Sequence, residues 1–245
     1  MRSPSRLGIL KAALLLCLLP ALAQESTPTS GPAIPMRDEG HHHLIFSNSF
    51  VNVFFVEIPP HESTLPHHHD LPYISVQPGG ADAAPAPPGP LRIGFSAGNF
   101  SHAVTNSGDV ANRNIAIELL RPQGTVRDRC AAILPGRTPA VCQDQPLAAA
   151  HPVKRTPLLE TDELLAESWE FAPGAAFAPA DQGRDILVAG LTDLQVTGQE
   201  GLDSANALRG GVLWIHAHSG AVFKSGPNRG GHCIAITFKD SAPAR

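Results

Sequence analysis

The sequence predicts an all-β protein built as two small β-barrels in tandem, and three observations carry that prediction. First, the 245 residues include 24 prolines and 22 glycines, a turn density that favours many short strands over long helices. Second, short runs rich in β-branched and aromatic residues recur along the chain, each ended by a turn-forming cluster. Third, both halves contain a Pro-Gly-type turn, a central loop and an apolar closing strand, a weak internal repeat of about 75 residues.

Residues 1–23 read as an export signal. Arg2, Arg6 and Lys11 form a basic start, residues 12–19 are apolar, Pro20 breaks the run, and Ala21-Leu22-Ala23 offers a small-x-small cleavage site before Gln24. The apolar run is short for a membrane span, so an uncleaved anchor is the lesser alternative. A lipoprotein site at Cys17 is disfavoured by the bulky Leu16 before it. The expected mature protein is secreted or periplasmic, without stable membrane insertion.

Residues 24–40 are a polar, proline-rich lead, and 41–121 are expected to form the first barrel. Its strands are read at 50–58, 73–76, 91–95, 101–105 and 114–120, with 81–90 (ADAAPAPPGP) too proline-rich for regular structure. Residues 122–166 read as a linker, ending in one or two helical turns at 160–167. The second barrel is expected over 167–245, with strands at 168–171, 185–191, 211–215, 221–224 and 233–238.

Apolar residues make up 42% of the chain and charged residues 16%, a globular composition rather than a disordered one. Of 18 basic side chains, three lie in the leader; against 22 acidic ones the mature chain is net negative, so no nucleic acid or anionic membrane is expected as partner. Cys130 and Cys142 flank a short loop and are the natural disulfide pair in an oxidising compartment, worth about 3 kcal/mol in the chain-entropy model. Cys233, in an apolar run, reads as a buried free thiol.

The chemistry is concentrated in His67-His68-His69. On a strand, residues i and i+2 share a face, so His67 and His69 project together while His68 and Asp70 point away. Tyr73 has the same parity, provided that Pro72 does not break the strand. The segment from His61 to Gly80 resembles the first motif of the cupin superfamily, a Gly, five residues, His-x-His, three or four residues, Glu, six residues and Gly. His67, His69 and Gly80 match; His61 replaces the opening Gly and Tyr73 stands at the Glu. Residues 98–106 (GNFSHAVTN) resemble the second motif, with His102 and Asn106 at its His and Asn and Ala97 in place of its Pro.

The resemblance implies two cupin barrels of double-stranded β-helix (jelly-roll) type and one divalent transition metal ion (Fe, Zn, Mn, Ni or Cu) on His67, His69 and His102. Three protein ligands leave positions open for water, substrate or dioxygen. Tyr73 is either a functional phenol or plain core packing. His41-His42-His43 reads first as a solvated or locally packed tract, with a second metal site or a contribution to the pocket rim as the sharper reading. In the second half the same alignment puts Ala180, Gln182 and Ala221 at the ligand positions and Ser225 at the Asn, so that barrel is expected to bind no metal. His216 and His218 share a face there and read as ordinary strand-end histidines.

Three functions compete: a mononuclear metal enzyme of dioxygenase, isomerase or lyase type acting on a small molecule, a non-catalytic two-barrel binding or storage protein, and an envelope metal-binding protein. The set of three His without Glu resembles that of thiol and diketone dioxygenase cupins, which puts dioxygen chemistry first. A homodimer is implied by family analogy alone.

Overall fold

Alternation in residues 51–58 (VNVFFVEI) builds the strand on which the first half is organised. In the computed structural model, which describes residues 24–78, 93–128, 132–134, 138–139, 152–179, 183–198 and 210–239, this segment is flanked on both sides by antiparallel partners. The strands of this half are β1 (Gln24–Pro28), β2 (Ile34–Pro35), β3 (His42–Ser47), β4 (Val51–Ile58), β5 (His67–His69), β6 (Tyr73–Val76), β7 (Ile93–Ser96), β8 (Phe100–Asn106) and β9 (Asn112–Leu119). They form two sheets. One runs β1-β8-β5-β2; the other contains β7-β6-β9-β4-β3 and is extended at β7 by β11 (Ala132–Leu134) and β12 (Thr138–Pro139). Val104 of the first sheet packs with Met36, Phe54, Val56, Ile58 and Ala116, which places an apolar layer between the two.

The second half repeats this plan. β10 (Arg127–Asp128), β13 (Val153–Glu160), β14 (Leu164–Phe171), β16 (Ile186–Gly190), β18 (Val212–Ile215) and β20 (Gly231–Phe238) form one sheet, in the order β10-β13-β14-β20-β16-β18. β15 (Ala176–Phe177), β17 (Leu194–Thr197) and β19 (Val222–Ser225) form the other. Trp169, Phe171, Ile186, Val188 and Ala235 pack with Leu194, Val196 and Phe223 between these two sheets.

The large sheets of the two halves share a third core. Val51, Val53, Ile115, Ile117 and Leu119 pack in one cluster with Leu164, Ala166, Leu187, Ile234 and Ile236. These sheets are therefore buried on both faces, which is why residues 233–236 read as an unbroken apolar run rather than an alternating one.

No helix forms at 160–167. β13 ends at Glu160, Thr161 Oγ1 accepts from the N–H groups of Glu163 and Leu164, and β14 begins at Leu164. A hydroxyl that caps local N–H groups competes with helix initiation, and pairing with β20 holds residues 164–171 extended. The lead segment is structured as well, since β1 pairs with β8 and β2 with β5. The Cys130–Cys142 pair, Gly80, Ala180, Gln182 and the export signal lie outside the described residues. Cys233 is buried, and burial pushes its thiol well above the ordinary range. Among the described residues no helix is long and apolar enough to cross a membrane.

Candidate metal centre

The antiparallel register of β5 and β8 sets His67 opposite His102 and His69 opposite Phe100. Parity then does what the sequence spacing requires: His67 and His69 are 0% and 2% exposed, while Asp70 lies at the surface and His68 Nδ1 is engaged with Ser101 Oγ at 2.8 Å. One nitrogen from each of His67, His69 and His102 falls within 4.8 Å of the others, forming a buried group of metal-ligating type.

The geometry within the group is that of a donor set. His69 Nε2 and His102 Nε2 are 3.1 Å apart. Two imidazole nitrogens bound near a right angle at about 2.1 Å to one ion lie about 3 Å apart. The Nδ1–H of His67 donates to the Leu65 carbonyl at 2.8 Å, which fixes the tautomer and leaves Nε2 as the ligand atom. That Nε2 is buried and has no hydrogen-bond partner, as a nitrogen meant for an ion would be. Burial pushes the His67 ring below its usual range against the pull of the Leu65 carbonyl. Burial, together with the neighbouring imidazoles of His102, His67, His42 and His68, holds His69 down to about 2. Neutral imidazoles are the form that binds metal. The donor set fits a divalent transition metal ion without selecting which one.

Tyr73 reaches this site by a different route from the one its parity suggests. The chain breaks at Leu71-Pro72, so β5 and β6 belong to different sheets, and Tyr73 approaches from the opposite one. It is buried, and its ring stacks on His69 with centroids 4.2 Å apart. Phe100 stacks on His69 at 5.4 Å, so the two rings together fix the plane of this imidazole. Burial pushes the Tyr73 phenol well above its usual range, so it stays protonated. Asn106 is a latch at the end of β8: its Nδ2 lies 2.9, 3.0 and 2.8 Å from the carbonyls of Ile58, Pro59 and Val110.

His42, read from the sequence as one of a solvated or locally packed tract, has its side chain buried beside the three-His group. Its ring lies 4.7 Å from that of His67 and 6.4 Å from that of His69, and its Nδ1 meets Glu39 Oε2 at 2.7 Å. Glu39 was not legible as a site residue at all. Burial pushes its carboxyl up, but hydrogen bonds from the rings of His41 and His42 and from the His41 and Leu65 N–H groups outweigh that and hold it at about 2. The only signal in the sequence was a lone Glu three residues before a His. His43, by contrast, is exposed as expected.

In the second half, the space between the sheets is apolar. Trp169 packs edge-on against Phe177 and Phe223, and Ala221 is fully buried. Ser225 Oγ donates to the Ala172 carbonyl at 2.6 Å and accepts from Ala175 N–H at 3.0 Å, a turn-closing role. His216 is exposed and lies 3.8 Å from Asp185. Among the described residues His67, His69 and His102 form the metal-type group, and it lies in the first half.

No family model and no curated protein matches this sequence. Solved structures do match. A salicylate 1,2-dioxygenase from Pseudaminobacter salicylatoxidans aligns at a TM-score of 0.52 and 11% identity, over 88% of this chain and 84% of that one. A variant of that enzyme in complex with gentisate aligns at 0.51 and 9% identity, over 88% of this chain and 82% of that one. A cupin 2 conserved barrel domain protein from Leptotrichia buccalis aligns at 0.48 and 9% identity, over 81% and 88%. The fold is all-β and is shared with the salicylate 1,2-dioxygenase structures. At these identities the likeness is one of fold, and the chemistry rests on the residues themselves.

Proposed function

We propose that this chain is an exported two-barrel cupin that holds one divalent transition metal ion on His67, His69 and His102 and acts on a small molecule as a mononuclear metal enzyme, with dioxygenase chemistry as the leading class. The observation that carries the reading is the convergence of three buried imidazoles, two of them 3.1 Å apart through Nε2 and the third with an Nε2 that has no other partner.

When bound, such an ion supplies Lewis-acid or redox chemistry at positions the protein leaves open. The chain contributes the rest. The Leu65 carbonyl orients His67, the Tyr73 and Phe100 rings hold the plane of His69, and the apolar layer of Phe54, Val56 and Val104 packs the two sheets together. Tyr73, still protonated, stands beside His69 as a hydrogen-bond donor available to a bound ligand. The dioxygenase preference is supported by the absence of a carboxylate from the three-His group and by fold neighbours that include a salicylate 1,2-dioxygenase, one structure of which holds gentisate. The second barrel serves packing, as its aromatic filling suggests. The export signal is supported by the residue pattern of 1–23.

The deciding measurement is elemental analysis of the purified protein. One equivalent of metal, lost in His67→Ala and in His102→Ala, is the expected result. A wild-type protein without bound ion, and a His102→Ala variant unchanged in both metal content and stability, would leave the non-catalytic two-barrel binding protein as the better reading.

A further inference from the structure

We propose that His42, held in place by Glu39, is the fourth imidazole of the metal centre; this rests on the three-His reading above and adds an arm to it. The spacing makes the case first. His42 stands 4.7 Å from His67, centroid to centroid, against 4.6 Å for His67 and His102 and 5.0 Å for His69 and His102. It stands 6.4 Å from His69, so it packs against the His67 side of the cluster, just outside the three imidazoles whose nitrogens lie within 4.8 Å of one another. The His42 side chain is only 5% exposed, and that of Glu39 only 1%.

The hydrogen bonds say what the pair is built for. Glu39 Oε2 accepts from the His42 Nδ1–H at 2.7 Å and from His41 N–H at 2.9 Å; Oε1 accepts from the His41 ring at 2.8 Å and from Leu65 N–H at 3.2 Å. With Nδ1 committed to the carboxylate, Nε2 is the nitrogen His42 has left for a ligand bond, the same tautomer that the Leu65 carbonyl imposes on His67. A carboxylate behind a histidine is the usual device for fixing ring orientation and raising ligand basicity at metal centres. Glu39 also reaches His67, because the peptide whose N–H it accepts, Leu65, offers its carbonyl to the His67 ring.

This arrangement answers a deficit in the first half. Tyr73 occupies the place where the motif has Glu, so the three-His group is all neutral donors. Glu39 returns one negative charge to the centre from behind His42, and its buried position is explained by that role. The ligand this centre takes is a divalent ion that accepts four nitrogen donors, the class to which Zn, Cu, Ni and Fe belong.

The test uses Co(II) as probe, added to the metal-free full-length protein, with binding followed by titration and by the visible absorption of the bound ion. His42→Gln and Glu39→Gln are expected to lower Co(II) affinity 10- to 100-fold and to change the absorption bands of the Co(II) that binds, while His43→Ala changes neither. Circular dichroism of each metal-free variant checks that it is folded; if Glu39→Gln is not, His42→Gln decides alone, with His42→Phe as a second ring-preserving variant. Affinity and spectrum unchanged in folded His42 variants would overturn the fourth arm and leave the three-His centre standing. A wild-type protein that binds no Co(II) would overturn the centre itself.

Discussion

His67 and His102 face each other directly across the β5–β8 pair, with ring centroids 4.6 Å apart. The centre is thus written into the strand register. A slip of one residue would turn His67 and His69 outward together and bring His68 in their place. Register here is secured by Asn106 at one end of β8 and by β1 and β2, the edge strands that flank the β8–β5 pair.

Metal should stabilise this fold measurably. Two buried neutral imidazoles of the group, His67 and His69, each keep a buried ring nitrogen without a partner, which an ion would relieve at His67 Nε2. An ion that binds only the folded state adds about 2.7 kcal/mol at a free concentration 100 times its dissociation constant. Thermal melting of protein treated with chelator and then reloaded should show an upward shift on reloading that His102→Ala abolishes. An equal shift in the variant would place the binding elsewhere.

Acid should destabilise the metal-free protein in two windows. Burial, only partly offset by the Glu39 hydrogen bond, lowers His42 to about 4, and His69 falls to about 2. Both start from 6.5, so below that pH the unfolded chain binds more protons than the fold does. Stability therefore falls as pH drops from about 6.5 towards 4, by up to about 1.4 kcal/mol per pH unit for each group. Glu39 acts lower down. Its stabilisation is complete above its unfolded value of 4.5 and is lost as pH falls towards about 2. Urea midpoints should agree at about pH 7 and 8 and decline at about pH 5. A midpoint independent of pH across that range would contradict the buried neutral state of these rings.

Strands such as β4, β6 and β20 were legible as runs of β-branched and apolar residues, and the two site strands because histidine parity on a strand has a single geometric meaning, whereas β3, β17 and β13, the last inside the segment read as a linker, were not. What the sequence did not reveal depends on contacts distant along the chain. Tyr73 shares parity with His69, but Leu71-Pro72 moves it to the opposite sheet, and it meets the site only because the two sheets face one another. His42 looked like a polar tract residue because its burial comes from packing against β5, and Glu39 because its hydrogen-bond partner Leu65 lies 26 residues away. The helical reading of 160–167 failed for the same reason: pairing with β20 overrides local propensity.

Gly98 should be intolerant of a side chain. Its φ is +82°, and a Cβ there would come within 2.5 Å of the Leu71 carbonyl carbon and 2.9 Å of Pro72 N. Those residues make the break that carries the chain from His69 to Tyr73, so a shift there moves both rings. Gly98→Ala is expected to cost more than about 1 kcal/mol in denaturant unfolding. It should also weaken metal binding although it touches no ligand. A variant with wild-type stability and metal affinity would show that this approach is not needed to hold the site.

The two halves should unfold together. Phe50, from the turn before β4, packs against Trp214 of β18 at 5.5 Å and Phe238 of β20 at 5.0 Å, and Trp214 meets Phe46 at 5.8 Å. These rings join the apolar faces of both large sheets in one cluster, so neither sheet can separate without exposing the other. Phe50→Ala removes the central ring and, at the usual cost of a buried Phe truncation, should destabilise the protein by about 3–5 kcal/mol. Cooperativity predicts that tryptophan fluorescence, which Trp169 and Trp214 of the second half report, and loss of the metal bound in the first half follow a single denaturant midpoint, shifted together in the variant. If metal were lost at a lower denaturant concentration than the fluorescence change in the wild-type protein, the shared core would not be what couples the two halves.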